Sequence, residues 1–229
     1  MIPFLPPSPV QFPSTRFALR DPNGLLAAGG SLAPDWLLAA YRRGIYPWYN
    51  DPGEIFWWSP APRMVLRPAD VHIAKSLKKF LKKTPFTIRF DSAFKDVVAR
   101  CADSRDDTWI LPEIQAAYCR LHELGHAHSV ECWQGKDLVG GLYGVNLGQQ
   151  FFGESMFSSC TNASKVALVA LSRHCEAWGI TAIDCQMHTQ HLESMGAQLY
   201  DRNAFEAMLD GCDTPSNAKW LFQSEWMNV

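Results

Sequence analysis

Apolar positions recur at helical spacing over residues 34–42, where Trp36, Leu37 and Ala40 follow a candidate N-cap at Ser31. A second amphipathic stretch spans 71–83. Ile73, Leu77, Phe80 and Leu81 fall on one side of it, and Lys75, Lys78, Lys79, Lys82 and Lys83 on the other. Pro85 ends it, and 86–90 alternates as a strand. Helices are expected over 92–101 and 112–124, the latter opening with Pro112 and closing at Gly125. The period then switches to two: strands are expected over 129–133, 138–145 and 149–154, joined by tight turns. A long helix over 163–178 ends at Gly179, before a short strand over 181–185.

This order predicts an α+β fold with helices packed on a mostly antiparallel sheet. The first sixty residues are richer in Pro, Gly and Trp, and the prolines at 60, 62 and 68 mark a subdomain boundary. Residues 1–62 are expected to form a small N-terminal domain, and 63–229 the larger one.

The chain has 229 residues with 21 Lys and Arg against 23 Asp and Glu. A net charge of −2 excludes a generally basic nucleic-acid coat, so any such contact must be local; the lysine face at 75–83 reads equally as a solvated helix face or as such a contact. Seven cysteines without a CxxC pair suit a reducing cytoplasm. No run approaches 18 apolar residues and no basic n-region precedes an apolar stretch, so neither a membrane span nor a secretory signal is expected.

His122-Glu123-Leu124-Gly125-His126 matches the H-E-x-x-H pattern, with His128 and Cys119 nearby. Zinc peptidase chemistry needs one helix to run through both histidines. Gly125 reads instead as the end of that helix, and no third ligand follows in helical context, so no metal is expected. Trp48, Trp57 and Trp58 suit a small aromatic core. Gly140, Gly141 and Gly144 lie inside a strand pattern and do not open a helix, which excludes a phosphate loop. At the end of the last apolar strand, alternation places Asp184 and Gln186 on one face and Cys185 on the other, and Glu154, which ends another strand, could converge on them.

Taken in order, several motifs resemble the bacterial leucyl/phenylalanyl-tRNA-protein transferase family. They are Pro22-Asn23-Gly24-Leu25-Leu26-Ala27, Gly29-Gly30-Ser31-Leu32, Tyr41-Arg42-Arg43-Gly44-Ile45-Tyr46-Pro47-Trp48, Trp57-Trp58-Ser59-Pro60 and Thr108-Trp109-Ile110. After them come the 121–129 run, Gly140-Gly141-Leu142-Tyr143-Gly144, Phe151-Phe152-Gly153-Glu154-Ser155-Met156, Asn162-Ala163-Ser164-Lys165 and Ile183-Asp184-Cys185-Gln186. The likeness runs from about Phe12 to Cys212.

The resemblance implies a second domain of the acetyltransferase-like (GNAT) fold. It also implies transfer of Leu, Phe or, less well, Met from aminoacyl-tRNA to the N-terminal amine of proteins beginning with Arg or Lys, which marks them for N-end rule degradation. Carried onto this chain, Leu142, Phe151, Leu171 and Ile183 would wall an amino-acid pocket, with Gly153 at its rim. Trp48 and Trp109 would frame the terminal adenosine, and Asp184, Gln186 and Glu154 would be catalytic. Leu142 and Leu171 depart from the Met and Phe of relatives. The five lysines would hold tRNA phosphates. Thr161 to Lys165 opens its helix without a glycine-rich loop, so neither coenzyme A nor any other cofactor is expected. Neither DNA nor a membrane is an expected partner.

Overall fold

The computed structural model describes residues 2–104, 107–214 and 217–224. Four short strands, β1 (Phe4–Leu5), β2 (Leu25–Gly29), β3 (Tyr46–Pro47) and β4 (Phe56–Trp58), form a sheet in the order β1-β2-β4-β3, against which helix α1 (Pro34–Tyr41) packs. The buried indoles of Trp36 and Trp57 stack 6.0 Å apart, with Phe12 edge-on to both. The expected cap at Ser31 is displaced. Ala33 is the N-cap, and the Ser31 hydroxyl accepts from the Ala33 N–H just outside the helix.

The second sheet begins with β5 (Arg63–Leu66), then come α2 (Lys75–Leu81), β6 (Thr87–Phe90), α3 (Phe94–Asp103) and α4 (Pro112–Glu123). Strands β7 (Ala127–Gln134), β8 (Asp137–Leu147) and β9 (Gln150–Ser158) follow as a meander. Helix α5 (Ala163–Ala177) crosses over to β10 (Ala182–Gln186), and α6 (Gln190–Ser194), β11 (Gln198–Tyr200) and α7 (Arg202–Met208) complete the order. The seven strands lie as β11-β5-β10-β9-β8-β7-β6, antiparallel throughout except for the β9–β10 pair. The fold is α+β with a mostly antiparallel mixed sheet, as the order of periodicities predicts.

Alternation along each central strand feeds two cores. Tyr143, Val145, Phe152 and Ala182 pack with α3 and α4, and that cluster continues through Trp36 and Trp57. Leu142, Phe151 and Ile183 face the other way onto α5 and α2. Each fully buried aliphatic side chain adds about 1.5–3 kcal/mol, so the sheet is held from both faces.

Three local departures from the periodic reading have identifiable causes. Helix α2 is shorter than 71–83, because a 3₁₀ turn at Pro68–Asp70 precedes it and the His72 N–H is tied to the Met195 carbonyl at 2.8 Å. Helix α3 starts at Phe94 and not at Ser92, since the buried Glu131 on β7 takes the Ser92 and Ala93 N–H groups and the Ser92 hydroxyl. Strand β5 follows the proline cluster directly and is absent from the periodic reading, yet it sits between β10 and β11.

Gly144 is fixed by close approach. A Cβ there would lie 2.2 Å from the Phe152 carbonyl oxygen and 2.6 Å from the Phe151 ring. The first neighbour is backbone and cannot swing away, so Gly144→Ala should cost about 1–3 kcal/mol. At this chain length that is a fall in Tm of about 2 °C or more in a thermal melt. An unchanged Tm would show that the β8–β9 approach is looser than described.

Candidate active site

Strands β9 and β10 run parallel and pair only as far as Asp184 opposite Phe152. Beyond that point each strand carries an irregularity. On β9, Gly153 pairs with Gly144 and Ser155 with Tyr143, which leaves Glu154 as the extra residue of a bulge. On β10, Asp184 pairs with Val65 and Gln186 with Met64, which leaves Cys185 as the extra residue, and Gln186 adopts φ +60°. Bulges of this kind re-aim side chains and end pairing. Here they end the β9–β10 pairing at the mouth of a cavity of about 540 Å³.

The base of the cavity is apolar: Leu142, Phe151, Leu171 and Ile183 line it, all buried. Gly153, Glu154 and Gln186 also line it, as do Trp48 and Trp109. Trp48 is the more open of the two, packed edge-on against Trp58 at 5.3 Å, and its carbonyl accepts from the Trp58 indole N–H. The structure therefore gathers nine of the residues singled out from the sequence around one space.

Asp184 does not line that space. Its carboxylate is buried on the opposite side of the sheet, where Arg63 of β5 clasps it with two hydrogen bonds, Nε to Oδ1 at 2.8 Å and Nη2 to Oδ2 at 2.7 Å. Tyr46 and Phe205 rings flank the guanidinium at 4.9 and 4.7 Å. Burial is the largest single influence and opposes the Arg63 charge, but Asp184 with Tyr46 and Glu154 outweighs it, and the guanidinium stays protonated. Asp184 Oδ1 also accepts the Gln186 backbone N–H at 2.9 Å. Strict alternation thus misplaces the pair: the bulge at Cys185 brings Gln186 and Cys185 to the cavity and leaves Asp184 behind. The Cys185 thiol is pushed up to about 12, first by burial and then by Asp184, so it stays protonated near neutrality and is a poor nucleophile.

The side chain of Gln186 finds a different partner. Its Nε2 donates to Glu154 Oε1 at 3.1 Å. Glu154 further accepts from Tyr41 at 2.6 Å and Tyr118 at 2.8 Å, and the two phenols also contact each other. Burial pushes the Glu154 carboxyl up to about 7 despite these donors. Arg63, Tyr41 and Tyr118 are the site residues that sequence reasoning misses. Tyr41 does stand in the family-like run at 41–48, but no spacing ties a tyrosine on α1 or on α4 to a carboxylate on β9.

The five lysines of 75–83 are exposed and lie outside the cavity lining, and none is in an ion pair among the described residues. The H-E-x-x-H segment is broken as expected: α4 ends at Glu123 and Gly125 takes φ +79°. His122 and His126 therefore share no helix face. His122 instead lies near Asp91 and His128, with one possible ligand atom from each within 4.8 Å of the others. Its Nδ1 is bonded to the Ala127 carbonyl, and His128 Nδ1 to Asp91 at 2.7 Å.

A sequence profile described as leucyl/phenylalanyl-tRNA protein transferase matches residues 65–210, and one for that family's N-terminal domain matches 30–61. The chain belongs to the leucyl/phenylalanyl-tRNA-protein transferase family. It is 56% identical over 225 residues to the leucyl/phenylalanyl-tRNA–protein transferase of Aromatoleum aromaticum, covering 96% of this chain and 94% of that one. The enzyme of the same name from Stutzerimonas stutzeri is 51% identical over 224 residues, 96% of this chain and 99% of that one. Among solved structures, a GCN5-related N-acetyltransferase from Kribbella flavida aligns with TM-score 0.40 at 10% identity. That alignment covers 77% of this chain and 65% of the acetyltransferase, just under two thirds of its length.

Proposed function

We propose that this member of the leucyl/phenylalanyl-tRNA-protein transferase family moves Leu, Phe or, less well, Met from aminoacyl-tRNA to the N-terminal amine of proteins that begin with Arg or Lys. The product would carry a degradation signal of the N-end rule. The observation that carries the reading is the cavity itself: an apolar base of Leu142, Phe151, Leu171 and Ile183, with Glu154 and Gln186 where two strands part. Two units, 1–62 and 63–229, would build it, the first supplying Trp48 and the second the pocket. Seven free cysteines fit a reducing cytoplasm. Among the described residues, no helix is long and apolar enough to cross a membrane.

In this reading the aminoacyl side chain enters between Leu142, Phe151, Leu171 and Ile183, and the terminal adenosine lies against Trp48 and Trp109, where a π-face suits stacking. The exposed lysines on and just after α2 grip phosphates at a distance from the reacting ester. That ester is already activated, so the main task is to hold its carbon within reach of a neutral amine. Gln186 contacts that amine or the reacting carbonyl. Asp184, outside the cavity, acts through the Gln186 backbone and is a positioning residue. Glu154 and Asp107, both lining the cavity, favour a basic first residue on the acceptor.

The test is transfer of labelled leucine from leucyl-tRNA to a peptide starting with Arg, beside one starting with Ala, with metal chelator present. Label on the Arg peptide alone is expected. Label on neither, with folded protein and intact leucyl-tRNA, would refute the proposal. The pocket walls make a second expectation. Leu171→Phe adds bulk at the base and should shift preference from Phe towards Leu by about tenfold, since apolar pockets discriminate by about 1–3 kcal/mol. An unchanged ratio of the two kcat/KM values would place Leu171 outside the side-chain pocket.

A further inference from the structure

Glu154 is the extra residue of its bulge, and that irregularity lets its carboxylate meet two phenols and an amide at once. Three contacts close a triangle: Tyr41 with Glu154 Oε1, Tyr118 with Glu154 Oε2, and Tyr41 with Tyr118. While Glu154 is ionised, two phenolic protons must serve three contacts, so one contact has no hydrogen. A single added proton on Glu154 fills all three in a cycle. The triangle therefore has a place for one further proton, although both phenols donate to the carboxylate while it is ionised, and that carboxylate lines the cavity while both tyrosines lie outside its lining. The anchoring of Gln186 Nε2 on Glu154 leaves the amide oxygen of Gln186 to accept an N–H from a ligand.

We propose that Glu154 is the proton acceptor for the incoming ammonium, and that Tyr41 and Tyr118 are positioning residues that hold it for this step. The inference rests on the aminoacyl transfer proposed above. The acceptor's α-ammonium gives one proton to Glu154, and the amine lone pair then forms the C–N bond to the ester carbon. The ester C–O bond breaks, the ribose oxygen leaves as hydroxyl with the second proton from nitrogen, and Glu154 returns its proton to solvent.

The electrostatics agree with this geometry. Burial holds Glu154 at about 7, close to the value of about 7.7–8.0 for an α-amine, so the transfer is nearly balanced. The groups that face it are Tyr41 from α1, Tyr46 from β3, Arg63 from β5, Tyr118 from α4, Tyr143 from β8, and Asp184 and Gln186 from β10. Burial raises Tyr41, Tyr118 and Tyr143 well above 10, so all three remain phenols near neutrality.

The experiment is a pH profile of kcat/KM for an Arg-initiated peptide between pH 6.5 and 8.5, corrected for spontaneous loss of aminoacyl-tRNA. Glu154→Gln keeps the shape and removes the acceptor. Its deficit should be about 100-fold or more at pH 6.5 and should shrink about tenfold by pH 8.5, where the amine has lost its extra proton unaided. Tyr118→Phe removes a donor that favours the carboxylate, so the acid limb should move to higher pH. A deficit equal at both ends of the range, or an unmoved limb in Tyr118→Phe, would overturn the proposal while leaving the reaction itself in place. No transfer by the wild-type chain at any pH would overturn both readings together.

Discussion

Arg63→Met is expected to lower folding stability by about 3–5 kcal/mol, because it strands the Asp184 carboxylate in the core with a single backbone N–H for company. The pair is almost wholly buried, with side-chain exposures of 1% and 2%, and both of its hydrogen bonds are short and charge-assisted. A buried pair is not in itself strongly stabilising, since each ion has lost its water. Losing one partner is the costly event. Adding Asp184→Asn to Arg63→Met should therefore recover a large part of the loss, as the asparagine is neutral yet can still accept the Gln186 N–H. Urea or guanidinium unfolding of the wild type, both single variants and the double variant gives the cycle. A loss below about 1 kcal/mol for Arg63→Met would mean that the pair is hydrated and behaves as a surface ion pair. The bulge adds a second readout. If Asp184 acts by holding the Gln186 backbone, the double variant should keep more transfer activity than Arg63→Met alone.

The elements that declare themselves in the sequence are those bounded by clear turn residues, such as Gly135, Gly148 and Gly179. Helix α5 and strands β7 to β10 are of this kind, and their ends fall within a few residues of the predicted ones. Strand β5 is missed because it has only four residues, Arg63–Leu66, placed directly after the proline cluster, and because one of them is an arginine. A cation in a central strand reads as surface until its partner is known, and Asp184 lies 121 positions away. The family resemblance singles out Leu142, Phe151, Leu171 and Ile183, and the structure sets these four side by side in one cavity. The orientation of Asp184 is not legible, since period two fails wherever a bulge inserts a residue, and nothing local in Asp184-Cys185-Gln186 announces one. The Tyr41–Tyr118–Glu154 triangle is illegible for a related reason. It joins α1, α4 and β9, and its chemistry exists only once the two sheets share a core.

Folding stability should fall as pH rises from about 4.5 to 7 by an amount traceable to Glu154. Its carboxyl titrates at about 7 in the folded chain against an ordinary 4.5, so the folded state holds the proton more tightly than the unfolded one. The sign follows from that order. The stabilisation is fully present below the unfolded value and is lost as pH rises through the folded one; at about 1.4 kcal/mol per pH unit it amounts to about 3 kcal/mol. Other groups titrate in the same window, His174 among them, pushed down to about 4 by burial, so the wild-type profile alone does not isolate the effect. The difference between wild type and Glu154→Gln does, because glutamine has no proton to lose. Measured by denaturant unfolding at pH 5 and pH 8, the glutamine variant should gain about 2–3 kcal/mol relative to wild type across that interval. A difference that stays flat with pH would mean that Glu154 titrates as an ordinary solvated carboxylate. It would then be ionised long before an α-amine begins to lose its proton, and its desolvated seat among the tyrosines would have no part in the transfer. A slope of the expected sign ties the cost of burying this carboxylate to its use: the same desolvation that weakens the fold above pH 7 makes Glu154 basic enough to take a proton from an amine.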